Sequence, residues 1–191
     1  MEAHVNHNIT SEGDRMHTEY KYIEKWLKKD GDFLKGIDVG CGTNRLSDRV
    51  LSLDVQPNNK YAHADIVWDC KDLEIFHDGV LDFVFSSHVL EDFEDIPAVF
   101  MKWWKKIKAD GLMILLLPDM QAGRYPKIDE RDDKGKLKGN PSHRTNVGRE
   151  YMESILKKMD EEGKIKYKME QVDTIPHNET CSIDVVIRKL K

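Results

Sequence analysis

The sequence predicts a right-handed, doubly wound α/β sheet with helices on both faces. Three observations carry that prediction. Helical and strand patterns alternate along most of the chain. The apolar run Leu112–Pro118 is bounded by Gly111 and Pro118, as in a strand buried between two layers. A short strand, Gly36–Val39, breaks into glycines at 40 and 42, the turn such sheets place beside a ligand.

Each element has its own signal. Residues 1–14 are polar and read as a flexible N-terminal segment. From Met16, Tyr20, Ile23, Trp26 and Leu27 recur at helical spacing, with Gly31 as the stop. "GIDVG" is the first strand, "NRLSDRV" a short helix and "LSLDV" a second strand ending at Asp54. "YAHADIV" and Leu81–Ser87 are the third and fourth. "DIPAVFMKWWKKIK" is amphipathic and ends at Asp110-Gly111. Trp103 and Trp104 on it read as core and its border. Asp119 to Gly148 is a long span rich in Gly, Pro, Asp and Lys, read as unstructured. "REYMESILKKMDEEG" is an amphipathic helix, and "KIKYKMEQVDT" with "CSIDVVIRK" is a closing antiparallel pair. With no internal repeat and no linker, residues 1–191 read as one domain.

Composition narrows the function. A formal net charge of −5 argues against a general nucleic-acid partner. No apolar run reaches the ~20 residues of a membrane span. The opening residues have no apolar stretch of the secretory kind. Cys41, Cys70 and Cys181 lie far apart with no CxxC pair, so neither a disulfide framework nor a zinc site is expected. A cytoplasmic location fits, the host's cytoplasm if the source is viral. The sequons at Asn8 and Asn178 then read as chance.

The glycine turn indicates a nucleoside. Gly40 and Gly42 can bend sharply and admit a ligand against the backbone, and Asp54 can accept both hydroxyls of a ribose. A dinucleotide fold would show G-x-G-x-x-G, but the third glycine is missing. Asp38, two residues before the first glycine, suits a positively charged sulfonium cofactor instead. A tight turn that binds nothing is the plainer alternative.

"DVGCGT", "LSLDV", "DCKDLEIFHDGVLDFVFSSHVLEDFED" and "KKIKADGLMILLLPD", in this order, resemble the successive motifs of class I S-adenosylmethionine-dependent methyltransferases. The small-molecule, type 11-like group is the nearest likeness, over roughly Gly36 to Asp119. Asn44 stands where a third glycine is usual, Asp92 where a histidine is common, and the helix after Gly42 is short. The resemblance implies a Rossmann-like fold with a seven-stranded, mostly parallel sheet and an antiparallel C-terminal strand. It implies S-adenosylmethionine as cofactor. Asp38, Gly40, Cys41 and Gly42 would line its methionine part, Asp54 its ribose and Val55 its adenine. Asp69 and Cys70 would lie beside the adenine amino group, with Asp65 as the rival, and Ser86, Ser87 and His88 beneath the sulfonium.

The acceptor is read from what is missing and what remains. No N/D-P-P-Y/F segment follows the fourth strand, and no Pro-Cys pair occurs, which disfavours nucleobase methylation. A hydroxyl acceptor needs a general base or a metal. His88 and Asp119 end adjacent strands, and His143 lies on the long loop. The pairing of a histidine after the fourth strand with an acid after the fifth resembles sugar O-methyltransferases. His88 as a strand cap, Asp119 as a turn acid and His143 as a solvated residue are the plainer readings. From Arg124 to Arg149 eight Lys or Arg face four acids, a local balance of +4. This marks 119–148 as an acceptor-binding loop for a phosphate-bearing or glycan acceptor, or else as a solvated tip. Asp129, Asp132 and Asp133 are the donors if a divalent metal takes part. "LPD", the loop and "NPSHR" resemble methyltransferases that accompany glycosyltransferases, including domains of large-virus glycan-building enzymes, so linkage to a glycosyltransferase is expected. Another small-molecule acceptor, and a non-catalytic cofactor-binding subunit, are the alternatives.

Overall fold

The structure, a computed structural model, describes residues 8–9, 15–16, 20–56, 63–121, 125–177 and 180–191. Most of the expected flexible segment 1–14, Arg124, the Asn178 sequon and the side chain of Cys181 therefore lie outside the described residues.

One sheet organises the fold. Its strands in chain order are β1 (Gly36–Val39), β2 (Leu51–Asp54), β3 (Ile66–Val67), β4 (Leu81–Ser87), β5 (Ile107–Pro118), β6 (Tyr167–His177) and β7 (Thr180–Lys189). Across the sheet they lie β6-β7-β5-β4-β1-β2-β3. Neighbours from β3 to β5 run parallel, and β7 lies antiparallel to both β5 and β6. The order reverses between β1 and β4, so a cleft opens at their carboxyl ends. The seven strands and the closing antiparallel pair agree with the expected fold.

Helices cover both faces. On one lie α2 (Ile96–Lys106) and α3 (Arg149–Glu161), whose Val99, Phe100, Trp103, Met152 and Leu156 pack on Ile37, Val39, Val84, Leu115 and Val185. Trp103 and Trp104 are both buried, so they are core. The other face holds the shorter α1 (Tyr20–Leu27), with Tyr20, Ile23 and Leu27 against Phe83, Phe85, Ile114 and Val186. Asp95 caps α2 by accepting the Ala98 N–H at 3.0 Å.

Four local expectations are corrected. No helix forms over 44–50. Asp38 Oδ2 takes the Leu46 N–H at 2.7 Å and Ser47 Oγ the Arg49 N–H at 3.2 Å, local bonds that replace helical ones. The first helix ends at Leu27, because Asp30 and Gly31 (φ 55° and 91°) turn Lys28–Lys29 back on Asp32–Phe33 as a tiny hairpin. The helix α2 ends at Lys106 rather than at Asp110, and residues 108–111 form an irregular start to β5. The long loop is ordered in part. Arg131 bridges to Leu137, and the Gly135 N–H donates to the Asp132 carbonyl at 2.9 Å. The loop's end returns to the sheet, where the Met120 N–H donates to the Val147 carbonyl at 3.1 Å.

Candidate active site

The turn after β1 is held by β2. The N–H groups of Gly40 and Cys41 both donate to the Leu53 carbonyl, at 2.8 and 3.2 Å. Gly40 has φ 71°, and a Cβ there would stand 2.3 Å from Val89 Cγ2, so only glycine fits. Part of the glycine pattern therefore seats the β4 turn on β1. Gly42 (φ 52°) donates its N–H to Asp54 Oδ2 at 3.0 Å. Asp54 Oδ1 takes the Gln56 N–H at 2.8 Å. Each oxygen of this carboxylate retains a lone pair for a ligand hydroxyl.

A cavity of about 270 Å³ opens here, lined by Asp38, Gly40, Cys41, Gly42, Thr43, Asn44, Ser87 and His88. Asp38 is buried, and burial pushes its carboxyl up to about 7. Asn44 Oδ1 is a buried acceptor with no hydrogen-bond partner among the described residues. Burial drives the thiols of Cys41 and Cys70 up to about 12, so both are inert. Beside Asp54, Val55 is 59% exposed and offers an apolar face.

The rival acids separate. Asp65 is committed to β2: its Oδ2 takes Arg45 Nη2 at 2.6 Å and the Ser52 N–H and Oγ–H at 3.0 and 3.1 Å. Asp69 stands exposed, with Oδ1 accepting the Lys71 N–H at 2.8 Å. Cys70 is buried, and its carbonyl accepts Trp103 Nε1–H at 2.7 Å, which ties this loop to α2. Ser86 is buried and donates to the Val39 carbonyl at 3.1 Å, so it braces β4 against β1 while Ser87 faces the cavity.

His88 sits at the rim of the cavity in a left-handed conformation (φ 54°) that is strained for a residue with a side chain. Its N–H donates to the Leu116 carbonyl at 2.9 Å. Its Nε2 lies 2.9 Å from Ser182 Oγ, and its Nδ1 lies 3.5 Å from Glu91 Oε1. The same Oε1 is 3.4 Å from His143 Nε2. The Tyr125 ring leans on both imidazoles, with centroids 6.2 and 5.6 Å away. The structure thus brings His88 and His143 together through Glu91. Asp119 is buried just beyond the end of β5. Ser182 pairs with Pro118, the residue before it.

Glu91 was missed from the sequence. The signal was present as His88-x-x-Glu91, an i,i+3 pair on the turn after β4. Asn44 was noted only as a missing glycine. The loop aspartates do not form a metal site: Asp132 Oδ1 takes the Lys134 and Lys136 N–H groups, and no cluster among the described residues could hold an ion.

Residues 37–115 match the family model described as "Methyltransferase domain". Over those residues the chain resembles the methyltransferase domains of that family. Its fold is that of a SAM-dependent methyltransferase from Methanosarcina mazei, with TM-score 0.60, 14% identity and 88% and 97% of the two chains covered. An S-adenosylmethionine-dependent methyltransferase from Mesorhizobium loti aligns with TM-score 0.56 at 14% identity, over 90% and 97% of the chains. One from Archaeoglobus fulgidus gives 0.55 at 15%, over 90% and 91%. No curated protein matches this chain in sequence. S-adenosylmethionine fits the residues here: in the cavity Asp38 and the orphaned Asn44 Oδ1 suit a cationic amino-acid end, and beside it Asp54 with Val55 suits a nucleoside.

Proposed function

We propose that this methyltransferase transfers its methyl group to a hydroxyl of a sugar, in a glycan or a nucleotide sugar. The observation that carries the reading is His88, which borders the cofactor cavity on one side and meets a buried carboxylate on the other. That pairing is the equipment of a general base.

When bound, the cofactor supplies a methyl carbon already activated by its sulfonium. Asp38, Gly40, Cys41, Gly42, Asn44 and Ser87 would hold its amino-acid end, and Asp54, Val55, Asp69 and Cys70 its nucleoside. The protein's own task is to align the acceptor oxygen, exclude water and remove one proton. An alcohol's pKa lies far above neutral, so the proton must leave as the new bond forms. His88 Nε2 receives it, directly or through the Ser182 hydroxyl beside it. Asp119 and His143 complete the acceptor side.

The loop 119–148 supports a polar acceptor. Its cations exceed its acids, and its returning end brings His143 to Glu91. In this reading the chain is one domain, acts in the cytoplasm and serves a glycosyltransferase product. Among the described residues no helix is long and apolar enough to cross a membrane. The test is a panel of glycans, nucleotide sugars, small amines and carboxylates, incubated with the full chain and S-adenosylmethionine and read by mass spectrometry. Methylation of the sugars is expected. Methylation confined to amines or carboxylates contradicts the reading.

A further inference from the structure

We propose that Glu91 is the positioning residue of this reaction: buried between His88 and His143, it fixes the tautomer of His88, holds the imidazolium formed there and joins His143 to the same proton network. This rests on the hydroxyl-transfer reading above.

The side chain is not explained by the fold. Glu91 is 0% exposed, on the short turn Leu90–Asp92 after β4. Its backbone carbonyl accepts the Arg144 and Thr145 N–H groups at 2.9 and 3.2 Å, which docks the returning loop. Any residue offers that carbonyl. A carboxylate taken out of water is strongly penalised unless it is paired. An apolar side chain would fold here at less expense.

Its surroundings are only half satisfied. Both carboxylate oxygens of Glu91, and Nδ1 of His143, are buried without a hydrogen-bond partner among the described residues. The contacts of Oε1 are the two imidazoles, at 3.5 Å (His88 Nδ1) and 3.4 Å (His143 Nε2). Under-satisfied buried polar groups call for an explanation, and a catalytic role is one that fits two imidazoles meeting at one carboxylate. The other charged and titratable groups facing the cluster are Asp92, whose Oδ1 accepts Ser142 Oγ–H at 2.8 Å, together with Tyr125 and Arg144. Burial lowers the pKa of His143, against the raising influence of Glu91 and Asp92. The neutral ring that burial favours can present an Nε2–H toward Glu91 Oε1, 3.4 Å away.

The chemistry follows. A carboxylate at Nδ1 selects the tautomer with hydrogen on that nitrogen, which leaves the Nε2 lone pair to the Ser182 hydroxyl 2.9 Å away, the group that relays the acceptor's proton. As the oxygen–carbon bond forms and the carbon–sulfur bond breaks, with its electron pair going to sulfur, the hydroxyl proton passes to His88 Nε2. The imidazolium then pairs with ionised Glu91. The proton leaves to solvent after product release, and the carboxylate is unchanged.

The test reads the histidines themselves, using the full chain labelled with ¹⁵N at histidine and S-adenosylhomocysteine as the added probe. In the wild type, His88 is expected to carry its hydrogen on Nδ1 and His143 on Nε2. In Glu91→Gln both tautomer signatures should weaken, and His143 should lose its charge at lower pH. Probe affinity should stay within about threefold. Turnover of a nucleotide-sugar mixture should fall roughly 10²–10⁴-fold, with partial recovery in Glu91→Asp. A His88 hydrogen on Nε2 in the wild type, or unchanged histidine signals in Glu91→Gln, overturns the proposal. The wild-type spectrum decides even if the variants do not fold. If no sugar is methylated but the signatures appear as stated, the hydroxyl reading fails and the positioning role of Glu91 stands.

Discussion

Replacing Asp38 with Asn separates the stability of the site from its affinity for a cation. Burial lifts this carboxyl from 3.8 to about 7, with Asp54 and Asp65 adding to the effect, while the Leu46 N–H and Arg45 oppose it. A folded-state pKa above the unfolded value means stability that is full below 3.8 and lost as pH rises to about 7. Above both values the loss amounts to about 4 kcal/mol. Asparagine removes it and can still accept the Leu46 N–H, but its amide hydrogens, if unpaired, cost about 1–3 kcal/mol. Asp38→Asn should therefore stabilise the cofactor-free protein at pH 8 by about 1–3 kcal/mol, and the gain should shrink by about 2–3 kcal/mol at pH 5. Denaturant titration at the two pH values measures this. The same change should weaken S-adenosylmethionine by about 1.5–3 kcal/mol, the worth of one charge-assisted bond. Calorimetry in buffers of different ionisation enthalpy should show the wild type releasing a proton on binding at pH 6 and the variant none. A pH-independent stability change, or unaltered cofactor affinity, refutes the reasoning.

Other outcomes follow from the same geometry. Asp54→Asn should lower cofactor affinity by roughly 2–4 kcal/mol, and also the melting temperature, because Asp54 anchors Gly42 and Gln56 as well; calorimetry and thermal melts check both. Gly40→Ala should destabilise by about 2 kcal/mol or more, and adding Val89→Ala should recover only part, since the clash is relieved and the positive φ is not. Deleting 132–136 should leave S-adenosylhomocysteine affinity within about threefold while abolishing sugar turnover, because the tip of the loop hairpin shares no contact with the cofactor cavity.

The fold was legible because its signals are local and redundant. Leu112–Pro118 reads as a buried strand from composition alone, and the alternation in 167–189 announces an antiparallel pair. The missing helix at 44–50 was not legible, since it depends on Asp38 reaching across to the Leu46 N–H. The hairpin at the loop tip did have a signal, the Asp132-x-x-Gly135 turn, hidden within a highly charged stretch. In the site, the motif order pointed to Asp38, Gly40, Cys41, Gly42, Ser87 and His88, which line the cavity, but not to Thr43 and Asn44 beside them. The acceptor side did not. His143 lies 55 residues beyond His88 in sequence and meets it because the returning loop is pinned to the turn after β4, by the Glu91 carbonyl and by Asp92. Acid burial has no periodicity to betray it, so nothing in the sequence sets Glu91 above Asp119.

The central claim is methyl transfer from S-adenosylmethionine to a sugar hydroxyl. Incubating the full chain with ¹³C-methyl-labelled S-adenosylmethionine and the nucleotide-sugar mixture, then recording the carbon spectrum of the product, tests it most directly. A methyl resonance in the methyl-ether region, lost in His88→Ala, is the expected result. A labelled methyl on nitrogen, or on a carboxylate as an ester, or no transfer at all, contradicts the account.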